Sequence, residues 1–227
     1  MQKIPTLEAM LKAGLHFGHR TSRWHPKMKP YIYTQKNGIH IINLAITQKS
    51  LEEAIDYMAQ LMRENKTILF ACTKVQSKEG IKKLAIDLKM PYITEKWMGG
   101  TLTNFSAIKK IIKKYTDLLA QKQAGKLTKY TKREQLEFDK DIAKLELKVG
   151  GLVNLTKVPD ALFIWDIKKE LTAVKEAVVL NIPIIAICDS NVNPSKIKYV
   201  IPANDDSTKG LELIAETIKE NLISTQK

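Results

Sequence analysis

An α/β fold, in which a mostly parallel sheet is wrapped by helices and carries an inserted helical hairpin, is what this sequence predicts, on three observations. Short apolar runs rich in β-branched residues alternate with longer amphipathic stretches, the order that builds a sheet covered by helices. Several of those runs are apolar throughout and lack the in-out alternation of a sheet wetted on one face. One stretch, residues 104–149, shows helical spacing twice and no strand signal.

Strands are expected at 67–72, 91–94, 160–166, 183–189 and 199–201. Ala161, Leu162, Phe163, Ile164 and Trp165 follow one another without a polar residue, as do Ile184, Ile185, Ala186 and Ile187, which suits strands buried on both faces. Helices are expected at 47–63, 76–88, 171–180 and 207–222, where apolar residues recur at the helical period. Strand and helix in that rhythm make a doubly wound, Rossmann-like (flavodoxin-like) sheet whose strand order the spacing leaves open. The whole chain, 1–227, reads as a single α/β domain, long enough for one substantial core with an appendage.

The appendage is 104–150. Ile108, Ile111, Ile112, Tyr115, Leu118 and Leu119 form one helical stripe; Phe138, Ile142, Leu145 and Val149 form a second. Gly125 falls between them, Thr131 and Glu134 have the spacing of a capping box, and Gly150 and Gly151 close the second helix. Two helices of about 16–19 residues, at about 1.5 Å per residue, make a protruding antiparallel coiled coil about 25–28 Å long. Its apolar stripe is narrow, so the remaining faces belong to lysine.

The formal net charge of +13 is unevenly spread. Residues 1–49 hold eight Lys or Arg against one carboxylate and residues 100–149 hold twelve against six, while the other segments are within one charge of neutral. Two cationic surfaces on a near-neutral core suit a polyanion, whose condensed counterions are released when its phosphates are neutralised. The candidate contacts are Arg20, Arg23, Lys27, Lys29 and Lys36 in the first block, and Lys109, Lys110, Lys113, Lys114, Lys129, Lys132 and Arg133 in the second. A lysine-rich helix face is ordinarily just solvated, which favours the N-terminal group. Trp24, Tyr31 and Tyr33 are interleaved with those cations, either to stack on exposed bases or to pack the segment onto the core. His16 and His19 stand among the same cations, placed to contact phosphate or backbone; if helical, their spacing would put both on one face. No run approaches the roughly 18 apolar residues of a membrane span, and the opening residues lack the apolar stretch of a signal peptide, so neither insertion nor export is expected. Cys72 and Cys188 each end an apolar run and read as buried strand residues in a reducing compartment.

Doubly wound sheets often bind nucleotides, yet neither Gly-x-Gly-x-x-Gly after a strand nor Gly-x-x-x-x-Gly-Lys-Ser/Thr occurs. Gly99-Gly100 and Gly150-Gly151 flank the hairpin and read as turns where it leaves and rejoins the core. Thr73-Lys74 is a weak anion-site signal. The acidic edge is more specific: Asp189 ends one predicted strand and Asp205-Asp206 follow the next. If those strands are parallel neighbours the carboxylates converge, and close like charges must protonate, separate or bind a cation. Asp206 is then either the cap of the last helix or part of a cluster. A structural divalent ion, zinc or magnesium, held by Asp189, Asp205 and His19, would staple the basic N-terminus to the core; no other cofactor is required. A rival reading, an enzyme with a polar pocket of Asp166, Asp189 and Asp205, lacks any nucleophile arrangement to accompany it.

Several motifs, taken in order, resemble one family. Gly14-Leu15-His16-Phe17-Gly18-His19, Trp24-His25-Pro26-Lys27-Met28 and Gly38-Ile39-His40-Ile41-Ile42-Asn43-Leu44 are similar to the opening of the small-subunit (30S) ribosomal protein two family of bacteria and organelles. Lys96-Trp97-Met98-Gly99-Gly100-Thr101-Leu102-Thr103-Asn104, Pro159-Asp160-Ala161-Leu162-Phe163 and the block from Ile182 through Asn204-Asp205-Asp206 extend the resemblance over almost the whole chain. The resemblance implies a Rossmann-like domain with a long helical hairpin and a structural, non-enzymatic constituent of the small ribosomal subunit that supports translation. It also implies binding to 16S-type ribosomal RNA and neighbouring ribosomal proteins, ribosomal protein one among them in bacteria. The location it implies is the cytoplasmic ribosome, with an organellar ribosome as the alternative, and no membrane or small-molecule partner. Asn193, where an aspartate is common, and Trp165, in place of a smaller aliphatic, depart from the pattern; the first weakens any fuller acidic cluster.

Overall fold

The computed structural model describes residues 3–223. The chain opens with α1 (Leu7–Lys12), capped by Thr6, whose hydroxyl accepts from the Ala9 amide. A three-stranded antiparallel sheet follows, β1 (Phe17–Arg20), β2 (Ile32–Lys36) and β3 (Ile39–Ile42), in the order β1-β3-β2. Between β1 and β2 the chain makes two 3₁₀ turns, Thr21–Arg23 and Pro26–Tyr31. This sheet was not expected. β2 is almost wholly exposed and half polar, so it carries no apolar run; its one legible signal is Asn37-Gly38, both at positive φ (51° and 73°), the dipeptide of a tight hairpin. The one-face arrangement of His16 and His19, conditional on a helix, does not arise: α1 ends at Lys12, His16 lies in the turn after it and His19 on β1.

Then comes the alternation that the sequence predicts: α2 (Leu44–Arg63), β4 (Ile68–Ala71), α3 (Lys78–Asp87), β5 (Tyr92–Ile93), α4 (Phe105–Gln123), α5 (Lys132–Val149), β6 (Ala161–Ile164), α6 (Leu171–Val179), β7 (Ile184–Cys188), β8 (Tyr199–Pro202) and α7 (Thr208–Ile223). Expected and observed bounds of the strands and core helices agree within two residues except at α2. That helix starts three residues early because Asn43 caps it, its side-chain oxygen accepting from the Ala45 amide. The five later strands form one parallel sheet in the order β5-β4-β6-β7-β8.

Both faces of that sheet are covered, which is why its strands are apolar throughout. Ile68, Phe70, Phe163, Trp165, Ile185 and Ile187 pack with Leu51, Ile55 and Met58 of α2, Leu84 of α3 and Ile214 and Ile218 of α7. On the other face Leu69, Ala71, Leu162, Ile164 and Ala186 meet Ala173 and Ala177 of α6 and the roots of α4 and α5, through Ile108, Ile112 and Val149. α4 and α5 pack on each other, linked near their far ends by Lys122 Nζ to Asp139 at 2.8 Å. The capping box of Thr131 and Glu134 opens α5, and α5 ends at Gly150 in a 3₁₀ turn, Gly150–Leu152, under β5.

Candidate nucleic-acid interface and its acidic anchor

Parallel strands deliver all their C-terminal ends to one edge, and here the edge collects charge. Lys74 follows β4, Asp166 follows β6, Asp189 follows β7, and Asp205 and Asp206 follow β8. β7 and β8 are parallel neighbours, Cys188 opposite Pro202, so the expected convergence of Asp189 with Asp205 is what the sheet produces. The cation among these carboxylates is Lys74, itself buried. Its ammonium lies 2.9 Å from Asp205 Oδ1, 2.6 Å from Asp206 Oδ1 and 3.8 Å from Asp166 Oδ2, and it also donates to the Asp205 carbonyl. Thr73-Lys74, read as an anion site, thus serves anions of the chain itself.

His19 ties the N-terminal sheet to this edge. Its Nδ1 is 3.1 Å from Asp189 Oδ2 and its Nε2 3.9 Å from Asp206 Oδ2. Ser190 completes the clamp: its hydroxyl accepts from the His19 amide at 2.8 Å and donates to Asp189 at 3.0 Å, and its carbonyl accepts from the His25 amide at 2.8 Å. A side chain at Gly18 would put its Cβ 2.8 Å from Ser190 Oγ and 3.1 Å from the His40 carbonyl, so this close approach requires glycine. Further along, Asn204 gives its side-chain amide to the Gly14 carbonyl and its backbone amide to the Leu15 carbonyl, and the Ser207 hydroxyl donates to the Ala13 carbonyl at 2.6 Å. The N-terminal segment is therefore fastened to the last quarter of the chain mainly by polar bonds.

Protonation follows from these contacts. The hydrogen bond to Asp189 holds the His19 imidazole above its ordinary value, against partial burial. Burial, with the Asp166 and Asp189 charges beside it, pushes the Asp205 carboxyl up to about 6. The Lys74 hydrogen bond pulls its exposed neighbour Asp206 down. Burial pulls the Lys74 ammonium down, but its bonds to Asp206 and Asp205 outweigh that and leave it above its ordinary value. As for ligands to a metal, one atom each of His19, Asp205 and Asp206 lie within 4.8 Å of one another, while Asp189 engages His19 directly.

The cations flank this anchor. Arg20, Arg23, Lys27, Lys29 and Lys36 are exposed, and none forms an ion pair among the described residues; the one carboxylate of residues 1–49, Glu8, is already taken by Lys12 at 2.7 Å. Gly18, His19, Arg20 and Arg23 line one groove that ends at Asn204 and Asp206. His16 is half-buried against Phe17, and burial lowers its pKa. Trp24 is half-buried with its ring on His40, 4.9 Å between centroids, and Tyr31 packs on the core, whereas Tyr33 is 74% exposed. The two alternatives for these aromatics divide accordingly: two rings pack, and the free one is Tyr33. On the hairpin, Lys109, Lys110, Lys113 and Lys114 are exposed on the first turns of α4, with Lys109 over the Phe105 ring. Lys129, Lys132 and Arg133 lie around the turn between α4 and α5, about 15–20 Å further along the α4 axis, so these cations form two groups instead of one patch.

Sequence reading missed Glu176. This carboxylate of α6 is buried, and it accepts from Trp97 Nε1 (3.0 Å), the amides of Gly100 (2.8 Å), Leu102 (2.8 Å) and Thr103 (3.1 Å), and the Thr103 hydroxyl (3.2 Å). Burial raises its pKa but these donors overcome it, and the group sits below the ordinary carboxylate value. Residues 97–103 lead directly into α4, so Glu176 fixes the root of the hairpin to the sheet. The available signal was a lone carboxylate among Ala173, Val174 and Ala177 on the buried face of a helix, where a charge needs partners.

A family model described as ribosomal protein S2 matches residues 10–225. The chain is similar to small ribosomal subunit protein uS2 of Amoebophilus asiaticus, 46% identical over 215 residues covering 95% of this chain and 69% of the relative. It is also similar to uS2 of Flavobacterium psychrophilum, 44% identical over 214 residues (94% and 80% of the two chains), and of Coprothermobacter proteolyticus, 41% identical over 220 residues (97% and 82%).

Proposed function

Since this chain belongs to the ribosomal protein S2 family, we propose that its two cationic surfaces hold it on 16S-type ribosomal RNA. It is a structural constituent of the small ribosomal subunit and not an enzyme. The observation that carries the reading is the contrast between two sets of charges. The acidic edge is paired from within by Lys74 and His19, while Arg20, Arg23, Lys27, Lys29 and Lys36 are exposed and have no ion-pair partner among the described residues. Cations left unpaired by their own protein are those that release counterions from phosphate. We read residues 104–150 as a protruding antiparallel coiled coil on a single α/β domain, an arm suited to meet RNA and neighbouring small-subunit proteins, ribosomal protein one among them. The bacterial relatives favour the cytoplasmic ribosome over an organellar one, and no described helix is long and apolar enough to cross a membrane.

Sucrose-gradient sedimentation of cell extract tests the assignment: the protein co-migrates with the small subunit at low salt and leaves it at high salt, and sedimentation as a free chain under both conditions would sink it. For purified protein and a ribosomal RNA fragment, replacing Arg20, Arg23, Lys27 and Lys29 by glutamine should flatten the log affinity against log salt plot by about 0.9 per lost duplex-phosphate contact. An unchanged slope would move the contact to the hairpin.

The clamp at the acidic edge works, on this reading, without a required cofactor, because Lys74 supplies the positive charge for which a divalent ion was considered at His19, Asp205 and Asp189. The raised pKa of His19 contributes stability that is full below about 6.5 and is lost as pH rises through its folded value. Asp205, raised from 3.8 to about 6, also favours the folded state more as pH falls through that window. His16 and His40, whose pKa values burial lowers, act in the opposite sense, so the His19 contribution is read as a difference: the melting advantage of the native chain over His19→Gln should be larger at pH 6 than at pH 8. Neither chelator nor added zinc or magnesium should move the melting temperature; a metal-dependent rise would establish the divalent ion instead.

A further inference from the structure

We propose that the groove between the Pro26–Tyr31 turn and β8 is a second RNA-backbone site, in which Lys198 acts with Lys27 and Lys29. Charge counting along the sequence points away from residues 150–227, which carry one carboxylate more than cations. The fold reverses that locally. Lys27, Lys29 and Lys198 all line one open groove of about 740 Å³, together with the hydroxyl-bearing Ser50 and Ser195 and with Tyr199. All three lysines are exposed, and none forms an ion pair among the described residues. Glu53, which also lines the groove, has Lys49 at 3.9 Å.

The ring chemistry points the same way. Tyr199 stacks on Tyr57, centroids 4.5 Å apart, and the Lys198 ammonium lies 4.5 Å from the Tyr57 centroid and 5.4 Å from that of Tyr199. That contact holds a long flexible side chain over an aromatic pair at the groove, with its charge still available to an anion. Lysines, hydroxyls and an aromatic residue along one open groove are what a ribose-phosphate chain requires. An open trough suits a polymer that passes through better than a small ligand that must be enclosed. The groove is continuous with the N-terminal cations through Lys27 and Lys29, and so the inference rests on the ribosomal RNA reading above.

The test uses the full chain, a labelled oligouridylate and a labelled RNA hairpin, with binding followed from low to high salt. Lys198→Gln should melt with the native protein, weaken both RNAs alike and reduce the salt slope by about 0.7 for the single strand and about 0.9 for the duplex. RNA should also slow chemical methylation of Lys198 in the unaltered chain, a measurement that needs no variant. If the native chain shows no salt-dependent RNA binding, the parent reading fails. If it binds but Lys198→Gln leaves the slope unchanged and RNA does not slow methylation of Lys198 in the unaltered chain, the groove alone is overturned. If Lys198→Gln abolishes binding of poly-glutamate and spares RNA, the groove belongs to an acidic protein and the inference is likewise overturned.

Discussion

Replacing Glu176 by glutamine should destabilise this protein by about 3 kcal/mol and loosen the hairpin at its root. Five donors converge on the two carboxylate oxygens, three of them backbone amides that no rotamer can redirect. A hydrogen bond to a charged group is worth about 1.5–3 kcal/mol, and a buried donor left without an acceptor costs about 1–3 kcal/mol. Glutamine keeps the shape but turns one acceptor oxygen into a donor, so at least two N–H groups face another N–H, those of Trp97 and Gly100 or those of Leu102 and Thr103. The losses are not additive because the loop relaxes, and about 3 kcal/mol is the part expected to survive relaxation. For a domain of this size that is a fall of about 6–12 °C in melting temperature. Urea denaturation should show a lower midpoint at unchanged slope, and hydrogen exchange should quicken at the Gly100, Leu102 and Thr103 amides ahead of the sheet. A variant whose exchange speeds uniformly would contradict a local latch; one that melts with the native protein would contradict the latch altogether.

The second large effect is expected at Lys74. Lys74→Met should cost about 3–5 kcal/mol at pH 8, the range found when one member of a buried ion cluster is removed and the rest remain. Four carboxylates, Asp166, Asp189, Asp205 and Asp206, would then share one edge with only His19 to offset them. The loss should shrink toward pH 5, because Asp205, already pushed up to about 6, takes a proton and ends part of the repulsion. Adding Asp205→Asn should restore part of the stability at pH 8, and a double-mutant cycle measures how much of the pair is mutual. Equal losses at pH 5 and pH 8 would mean that Lys74 acts by packing its stem and not by its charge.

These two residues also mark what was legible in the sequence. The five buried strands, the core helices, the capping box at Thr131 and the convergence of Asp189 with Asp205 all follow from local period, cap chemistry and the rule that parallel strands end together. Lys74 was visible only as a turn residue, since its partner Asp205 lies 131 positions away and nothing local announces the pairing. Glu176 left a trace, a charge on an apolar helix face, but its donors are mostly backbone amides, which no sequence pattern displays. The N-terminal sheet was hidden for another reason. β2 is an exposed, half-polar ribbon paired with β3 across the Asn37-Gly38 turn, while the bonds to Ser190 and Asn204 come from Gly14, Leu15, His19 and His25. Lys198 was missed because charge was counted along the chain, whereas a groove collects it across the chain.

The fastening of residues 13–25 to Ser190, Asn204 and Ser207 has a consequence in time. The cationic segment leaves the synthesising ribosome well before its polar partners, which follow it by 171 to 194 residues. At about 5–20 residues per second, that delay is on the order of 10–40 s. During it the segment is a charged tether without a shape, able to find a polyanion but not to present His19, Arg20 and Arg23 in fixed register. The cationic surface thus takes its final form only once the segment from Ser190 to Ser207 has been made.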